Sequence, residues 1–345
     1  MPAASSKTWI SLSEKDRLRT MADLPEKRGF SLWRIGIVGL LLLLVIWKMD
    51  FHLFFSHFDF LALRNILFVQ PLVLLCLVMA AFRFRIILGK PFPLFRLVFK
   101  AILLTYGLNN LLPGRVGELL KVSFMKEHAQ VSIPTGLAAV FLERMMDVFF
   151  LGSLTLIGVE IFWKGMTFQP WVAFSLVAVG VLFLIPRIEN LLIRLLRHLP
   201  WKLFQGGLEA WVQQVAKGIR EHRFFKALPF GLAGWGFSFF LVALFLHLGG
   251  VIPLGQWEAL AVFIGVTVGS AIPALPGGLG TYEAGAVFVL RQMGFPWEKA
   301  LYIAVTLHLS QILFCVAGAC WVMATERMGL STLIRRAREV AESKG

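Results

Sequence analysis

Charged residues are scarce in this 345-residue chain. Only 16% of its residues are charged and 58% are hydrophobic, whereas a soluble globular domain has about 25% charged and about 45–50% apolar residues. So much Phe, Leu and Val cannot be covered by the few polar side chains, which excludes the soluble, disordered and collagen-like classes. The composition predicts an all-α integral membrane protein that crosses the bilayer several times.

Cysteine is also scarce, and the motifs of common enzyme classes are missing. Cys76, Cys315 and Cys320 all lie in apolar runs, without the spacing of a zinc site or a disulfide framework. The chain has no Walker loop, no Rossmann fingerprint and no nucleophile elbow. We therefore expect no enzymatic activity, no metal and no cofactor, and we expect any transport to proceed without an ATPase of its own.

Long apolar runs dominate what is present. Two of them, 97–125 and 257–293, are interrupted by Leu-Pro-Gly-x-x-Gly at 112–117 and 275–280. The arms before these breaks reach about 24–26 Å, which is short of a hydrocarbon thickness of about 30 Å, so we predict two re-entrant helical hairpins. Six uninterrupted runs have the length of a transmembrane helix: 32–50, 66–82, 133–159, 170–186, 225–248 and 299–325.

The distribution of basic residues predicts the orientation. With the N-terminus in the cytoplasm, 28 of the 34 Lys and Arg residues fall on the cytoplasmic side, as the positive-inside rule requires. The net charge of +14 then reflects cytoplasmic loops, and we expect no nucleic-acid partner. We predict a cytoplasmic arm (1–30), a single membrane domain (31–326) with a basic amphipathic segment (187–224) against anionic headgroups, and a basic cytoplasmic tail (327–345).

The two halves, about 31–165 and 166–326, repeat one order of elements: two spans, an interrupted hairpin and a long span. The offset of 163 residues between the Pro-Gly motifs also relates Glu143 to Thr306 and Asp147 to Ser310. Three spans separate the hairpins, so the first enters from the cytoplasm and the second from outside. Such an inverted-topology repeat predicts a site near the bilayer midplane. The alternative is that the hairpins only fill space between helices.

The first hairpin contributes candidate residues for an anion. Its Gly and Pro allow a sharp turn, and the helix that begins after the turn directs free N–H groups toward the midplane. Arg115 adds a guanidinium, which grips phosphate in a bidentate manner. Alternatively, Arg115 forms a structural ion pair with Glu118. The candidates are Asn109, Asn110, Pro113, Gly114, Arg115, Gly117 and Glu118.

The second hairpin supplies a tight glycine turn and a second helix N-terminus. Glu283 suits the first turn of that helix, which is its structural role. Gly265 and Gly269, in the arm before the turn, form a small-residue face for close helix contact. The candidates for the site are Pro276, Gly277, Gly278, Gly280, Tyr282 and Glu283.

Two spans carry polar residues that are costly in a membrane and therefore face protein or water. Arg144 and Asp147 can neutralise each other at a spacing of three residues. His308 can relay protons, or it is simply hydrogen-bonded. The candidates from these spans are Glu143, Arg144, Asp147, Thr306, His308 and Gln311.

Three motifs together resemble one known family. They are Asn-x-Leu-x-Pro-Gly-Arg-x-Gly-Glu (109–118), Glu-Arg-x-x-Asp (143–147) and Ile-Pro-x-x-Pro-Gly-Gly-Leu-Gly-x-x-Glu (272–283). In this order they resemble the lysylphosphatidylglycerol synthase transmembrane-region, or flippase-like, family of bacteria and archaea, over roughly residues 30–325. The aminoacyl-transferase domain that accompanies this region in some members has no counterpart here, so synthesis of the lipid is not expected.

The resemblance implies a lipid-translocating domain in a bacterial or archaeal plasma membrane, with both termini cytoplasmic. Stand-alone members are associated with hopanoid, glycolipid and polyprenyl-phosphate pathways, so we expect a phospholipid or lipid-linked substrate with an anionic headgroup. Two alternatives stay open. One is an ion- or proton-coupled transporter of a small anion. The other is a non-catalytic membrane subunit that binds a lipid- or glycosyl-transferase. The oligomeric state is not predicted.

Overall fold

The computed structural model describes residues 60–89, 91, 93–112, 115–162, 169–198, 205–251, 256–272 and 275–329. Every regular element in this part of the chain is helical. The helices are α1 (Phe60–Phe68), α2 (Gln70–Leu88), α3 (Phe95–Leu111), α4 (Val116–Ala129), α5 (Ile133–Phe162), α6 (Gln169–His198), α7 (Gln205–Arg220), α8 (Arg223–Leu248), α9 (Gln256–Ala271), α10 (Thr281–Gln292) and α11 (Trp297–Thr325), with a 3₁₀ turn at Pro276–Gly278.

Helix ends follow local chemistry. Gly89 ends α2 with a positive φ of 85°, which glycine adopts without steric cost. α3 ends at Leu111, two residues before Pro113, because the residue before a proline disfavours the α conformation. The Ser132 hydroxyl accepts the N–H of Thr135 at 3.4 Å and caps the start of α5.

Most of the predicted spans correspond to helices. Leu63–Leu88, Arg223–Leu248 and Trp297–Thr325 are long and apolar enough to cross a membrane, and they contain the predicted spans 66–82, 225–248 and 299–325. The predicted spans 133–159 and 170–186 lie in α5 and α6, which have 30 residues each. The predicted span 32–50 lies outside the described residues, as do the arm 1–30 and most of the tail. The basic segment 187–224 is not one element, since its first part continues α6 through Pro186 and a separate helix, α7, follows.

Both interrupted stretches form helical hairpins. α3 packs on α4, and α9 packs on α10. A methyl group at Gly265 would lie 2.6 Å from the Gly285 carbonyl oxygen, and one at Gly269 would collide with the Thr281 carbonyl. The predicted small-residue face in the second hairpin is therefore confirmed, since only glycine allows the two backbones to approach this closely.

The two halves make matched contacts. α2 packs on α3 as α8 packs on α9, and α4 packs on α5 as α10 packs on α11. Each hairpin also contacts the long helix of the other half, α3 with α11 and α9 with α5, while α2 and α8 pack on each other. The repeated order of elements is thus accompanied by a repeated packing arrangement.

The tips of the hairpins lie beside each other and near the middle of α11. A methyl group at Gly277 would lie 2.9 Å from the Asn110 Oδ1 atom, so the turn of the second hairpin touches the end of α3. The Gly277 carbonyl oxygen is 3.1 Å from Nε2 of His308, the twelfth residue of the 29-residue α11. His308 lies about 17 Å along a helix of about 43 Å.

Candidate functional site

Both halves of the chain line a cavity of about 640 Å³. The first half contributes the polar residues Arg83, Tyr106, Asn110, Arg115, Arg144 and Asp147. The second half contributes Trp235, Ser238, Ser270, Tyr282, His308 and Gln311, among others. Apolar side chains such as Leu77, Phe230 and Phe263 complete the wall. The volume falls within the range of about 300–1,000 Å³ that is typical of sites for small organic ligands.

An ion-pair cluster lies beside the cavity and joins α2, α4 and α5. It consists of Arg83, Glu118, Lys121, Glu143, Arg144 and Asp147. These three cations and three carboxylates neutralise one another, which a membrane interior requires of buried charge. The cluster therefore places no net charge next to the cavity.

Glu143 and Lys121 are the most deeply buried members of the ion-pair cluster. Each side chain is 1% exposed, and Lys121 Nζ lies 2.6 Å from Glu143 Oε2. Lys121 Nζ also lies 2.9 Å from a Glu118 oxygen and 4.2 Å from the centre of the Phe84 ring. Arg83 Nε donates to the second Glu143 oxygen at 3.3 Å. Glu143 therefore holds two cations from two other helices and does not line the cavity.

Arg83, Arg144 and Asp147 form the side of the ion-pair cluster that faces the cavity. The predicted pair is present, with Arg144 Nη2 3.1 Å from an Asp147 oxygen. The shortest contact of Asp147 is nevertheless with Arg83 Nη1, at 2.7 Å, and the Trp235 indole N–H donates to the same carboxylate at 3.4 Å. Arg144 also contacts Glu118 at 3.4 Å, and its side chain is 36% exposed.

Arg115 stands apart from these pairs. It immediately precedes α4 in the left-handed conformation, with φ 54° and ψ 37°, and it is exposed at the cavity wall. No carboxylate in the described part of the chain lies within 4 Å of its guanidinium, because Glu118 instead contacts Lys121 and Arg144. The alternative of a structural Arg115–Glu118 ion pair is therefore wrong for this structure.

The remaining candidates of the first hairpin shape its turn. The Asn109 Oδ1 atom accepts the N–H of Gly117 at 2.9 Å. A methyl group at Gly117 would lie 2.6 Å from that oxygen, so glycine is required for the close approach of α4 to α3. Asn110 lines the cavity, whereas Pro113 and Gly114 lie outside the described residues.

The second hairpin turn depends on glycine backbone freedom. Gly277, Gly278 and Gly280 have φ values of 65°, 75° and 84°, which other residues rarely adopt. Pro276 begins the 3₁₀ turn. The Gly280 N–H donates to Glu283 Oε2 at 2.7 Å, so the structural role expected of Glu283 at the start of α10 is confirmed.

The other carboxylate oxygen of Glu283, Oε1, lies 2.7 Å from Nδ1 of His308. The Tyr282 ring stacks on the His308 ring at a centroid distance of 4.0 Å, and Gln311 donates to the Tyr282 hydroxyl at 2.6 Å. Tyr282, His308 and Gln311 all line the cavity. Thr306 does not, since its hydroxyl donates to the Tyr302 carbonyl of its own helix at 2.7 Å.

Arg83 and Lys121 are members of the ion-pair cluster that the sequence analysis missed. Both were counted among cytoplasmic loop cations, but their side chains are only 6% and 1% exposed. The available signal was a cation within or at the edge of an apolar helix, which must be paired. Among the described residues, no group of His, Cys, Asp and Glu side chains is arranged to hold a metal ion.

Comparison with known proteins identifies relatives of this chain. The sequence model of the family described as "Lysylphosphatidylglycerol synthase TM region" matches residues 31–319. A UPF0104 membrane protein of Methanocaldococcus jannaschii is 26% identical over 230 residues, which cover 64% of this chain and 94% of the relative. No solved structure matches the chain significantly.

Proposed function

The chain belongs to the lysylphosphatidylglycerol synthase TM region family, and from this membership and the cavity we propose that it moves an anionic lipid between the leaflets of a membrane. It is an all-helical, multi-pass membrane protein whose family supports a role connected with membrane lipids. The proposed substrate is a phospholipid or a lipid-linked intermediate such as a polyprenyl phosphate, a glycolipid or a hopanoid-type lipid. The proposed activity is movement of the intact lipid, without a chemical reaction.

The observation that carries this proposal is the guanidinium of Arg115 at the cavity wall, which has no carboxylate partner among the described residues. The ion-pair cluster is neutral, so the lining residues of the first half that the structure describes have a net positive charge, which Arg115 supplies. A guanidinium without a carboxylate partner offers its donors to a phosphate, and such charge-assisted hydrogen bonds are strong. The left-handed backbone at Arg115 is strained for a residue with a side chain, a feature that is often found at functional sites.

The apolar part of the lining favours a lipid over a small hydrated anion. Leu77, Val148, Phe230, Leu241 and Phe263 line the same cavity as the arginines. A cavity for a small inorganic anion would gain little from such a wall, whereas a lipid presents acyl chains beside its headgroup. We therefore place the headgroup at Arg115 and the chains along the apolar lining.

We also propose that the membrane domain contains six spans and two re-entrant hairpins related by an inverted repeat. Contact between the two hairpin tips near the middle of α11 supports this arrangement, because hairpins that enter from opposite sides meet at mid-depth. Helix ends predicted to be cytoplasmic also lie together. Lys100 near the start of α3 contacts Glu326 after α11 at 2.5 Å, and Arg223 at the start of α8 donates to the Leu88 carbonyl of α2 at 2.9 Å.

We propose that both termini are cytoplasmic, and labelling of the loops tests this orientation. Single cysteines at Lys164 and Gly255 are expected to react with an impermeant reagent from outside. A cysteine at Gln205 is expected to react only after the membrane is permeabilised. Labelling of Gln205 from outside would contradict the proposed orientation.

Mass spectrometry of the lipid that copurifies with the protein tests the proposed substrate class. An anionic lipid is expected to be enriched over the membrane extract with the wild-type protein. Loss of one charge-assisted contact of about 1.5–3 kcal/mol lowers affinity by about 10–100-fold, so Arg115→Gln is expected to lose that lipid.

Arg327→Gln is the matched control for this measurement. Arg327 is also exposed and also has a positive φ, of 51°, but it does not line the cavity. Arg327→Gln is expected to retain the lipid. Equal lipid profiles for all three proteins, in the proportions of the bulk membrane, would contradict the proposal.

A further inference from the structure

His308 and Glu283 form a buried pair at the cavity wall. Nδ1 of His308 lies 2.7 Å from Glu283 Oε1, and the two side chains are only 5% and 12% exposed. Nε2, on the other side of the ring, lies 3.1 Å from the Gly277 carbonyl oxygen. The histidine is therefore enclosed by an oxygen at each ring nitrogen.

This geometry requires a proton between the two side chains. A carbonyl oxygen can only accept a hydrogen bond, so Nε2 must carry a hydrogen. The contact at Nδ1 then needs a second hydrogen, located either on Nδ1 of an imidazolium or on the carboxyl group of Glu283. In both forms the pair holds one proton more than a neutral histidine beside a carboxylate, and its net charge is zero.

The immediate neighbours of the pair are neutral. The Tyr282 ring lies parallel to the imidazole, within 8°, and the Gly280 N–H donates to Glu283. His308 is the only ion-pair partner of Glu283 among the described residues. Among the described residues, α1, α8 and α9 contribute no titratable group to the cavity lining. The other titratable or charged groups of the described lining are Cys76 and Arg83 of α2, Tyr106 of α3, Arg115 just before α4, both Arg144 and Asp147 of α5, Tyr282 of α10, and Cys315 of α11.

Loss of the shared proton would leave two acceptors facing each other. The deprotonated pair would carry one negative charge in a buried site without direct contact to a described cation, which is costly. His308 would then have to leave either Glu283 or the Gly277 carbonyl. Since the Gly277 turn also touches Asn110 of the first hairpin, this change alters the contact between the two hairpin tips.

We propose that the His308–Glu283 pair takes up and releases one proton in each transport cycle, and that this exchange couples lipid movement to a proton gradient. The inference rests on the proposed function, because it assigns an energy source to the same cavity. In each cycle one proton enters the pair from water on one side of the membrane and returns to water on the other. Only N–H and O–H bonds form and break.

Proteoliposomes with an imposed pH gradient test this coupling. The probe is phosphatidylglycerol with a fluorescent acyl chain, valinomycin with potassium clamps the membrane potential, and dithionite reports the lipid in the outer leaflet. The wild-type protein is expected to move the probe several-fold faster with one direction of the gradient than with the other. His308→Gln and Glu283→Gln are expected to give equal rates for the two directions.

His247→Gln is the matched control, since His247 is exposed at the end of α8 and does not line the cavity. It is expected to keep the dependence on gradient direction. Gradient dependence that persists in a folded His308→Gln protein would overturn the proposal.

A second measurement on the wild-type protein needs no variant. Pyranine trapped in the vesicles is expected to report proton flux that requires both the protein and the probe lipid. Lipid movement without proton flux, at a rate independent of the gradient, would overturn the coupling and leave the proposed function intact. Absence of any lipid movement would instead overturn the proposed function, and the coupling with it.

Discussion

Replacement of Glu143 by glutamine tests the ion-pair cluster as the element that stabilises α2, α4 and α5 against one another. The substitution preserves the shape of the side chain but leaves the cluster with one excess positive charge. Lys121 keeps its contact with Glu118 at 2.9 Å, and Arg83 keeps its contact with Asp147 at 2.7 Å. Because both cations keep one partner, we expect the free energy of unfolding to fall by about 3 kcal/mol, the lower end of the range for a broken buried ion pair. This raises the unfolded fraction about a hundredfold.

The double variant Lys121→Met/Glu143→Gln separates charge balance from packing. It restores neutrality, and the methionine sulfur can contact the Phe84 ring that now lies 4.2 Å from Lys121 Nζ. We expect the double variant to recover most of the stability lost in Glu143→Gln, because replacement of a whole buried ion pair by neutral groups is often nearly neutral.

Reversible unfolding in mixed micelles of a mild detergent and dodecyl sulfate measures these free energies. We expect a coupling free energy between positions 121 and 143 of at least about 1 kcal/mol, well above the error of assuming additivity. A Glu143→Gln protein within about 0.5 kcal/mol of the wild type would refute the assignment of the cluster as a buried, mutually neutralised unit. So would a double variant that is as unstable as the sum of its single variants.

Three further predictions follow from other contacts. Gly265→Ala is expected to destabilise the protein by about 1–3 kcal/mol in the same assay, because its methyl group would lie 2.6 Å from the Gly285 carbonyl oxygen; Gly236→Ala, with open space around it, is the control and is expected to be neutral or stabilising. Hydrogen bonding from Lys100 lowers the pKa of Glu326. The wild type is therefore expected to be more stable than Lys100→Met at pH 7, and melting curves are expected to show that this difference in stability shrinks below about pH 4. A difference that does not vary with pH would contradict this. Arg115→Gln is expected to melt within about 2 °C of the wild type, since it breaks no ion pair with any residue that the structure describes; a protein that fails to fold would show a structural role instead.

The length of the apolar runs and the positions of the Pro-Gly motifs were enough to predict a helix at five of the six long runs, and to predict the two interruptions. A run of about 20 apolar residues in a membrane must satisfy its own backbone hydrogen bonds, and a helix does so. The Pro-Gly motifs at 112–117 and 275–280 interrupt such a helix. The small-residue face of the second hairpin was predictable for a similar reason, since Gly265 and Gly269 recur on one face of a helix. These features depend only on neighbours in the sequence.

The partners of the buried charges could not be predicted in this way. Helical spacing relates only residues that are close in the sequence, and it predicts the ion pair between Arg144 and Asp147. Glu143, however, is bound by Lys121 and Arg83, which are 22 and 60 residues away. A single charge in an apolar helix has no periodicity that selects its partner, so helix packing decides it. The pairing of Glu283 with His308, 25 residues further on, has the same origin.

The rate of lipid movement in proteoliposomes tests the central claim most directly. The measurement compares fluorescent phosphatidylglycerol in vesicles that contain wild-type protein, Arg115→Gln, Arg327→Gln or no protein. The account predicts rapid movement with wild type and Arg327→Gln, and a rate at least about tenfold lower with Arg115→Gln. Equal rates for Arg115→Gln and wild type, or no excess over protein-free vesicles for any anionic lipid tested, would contradict it.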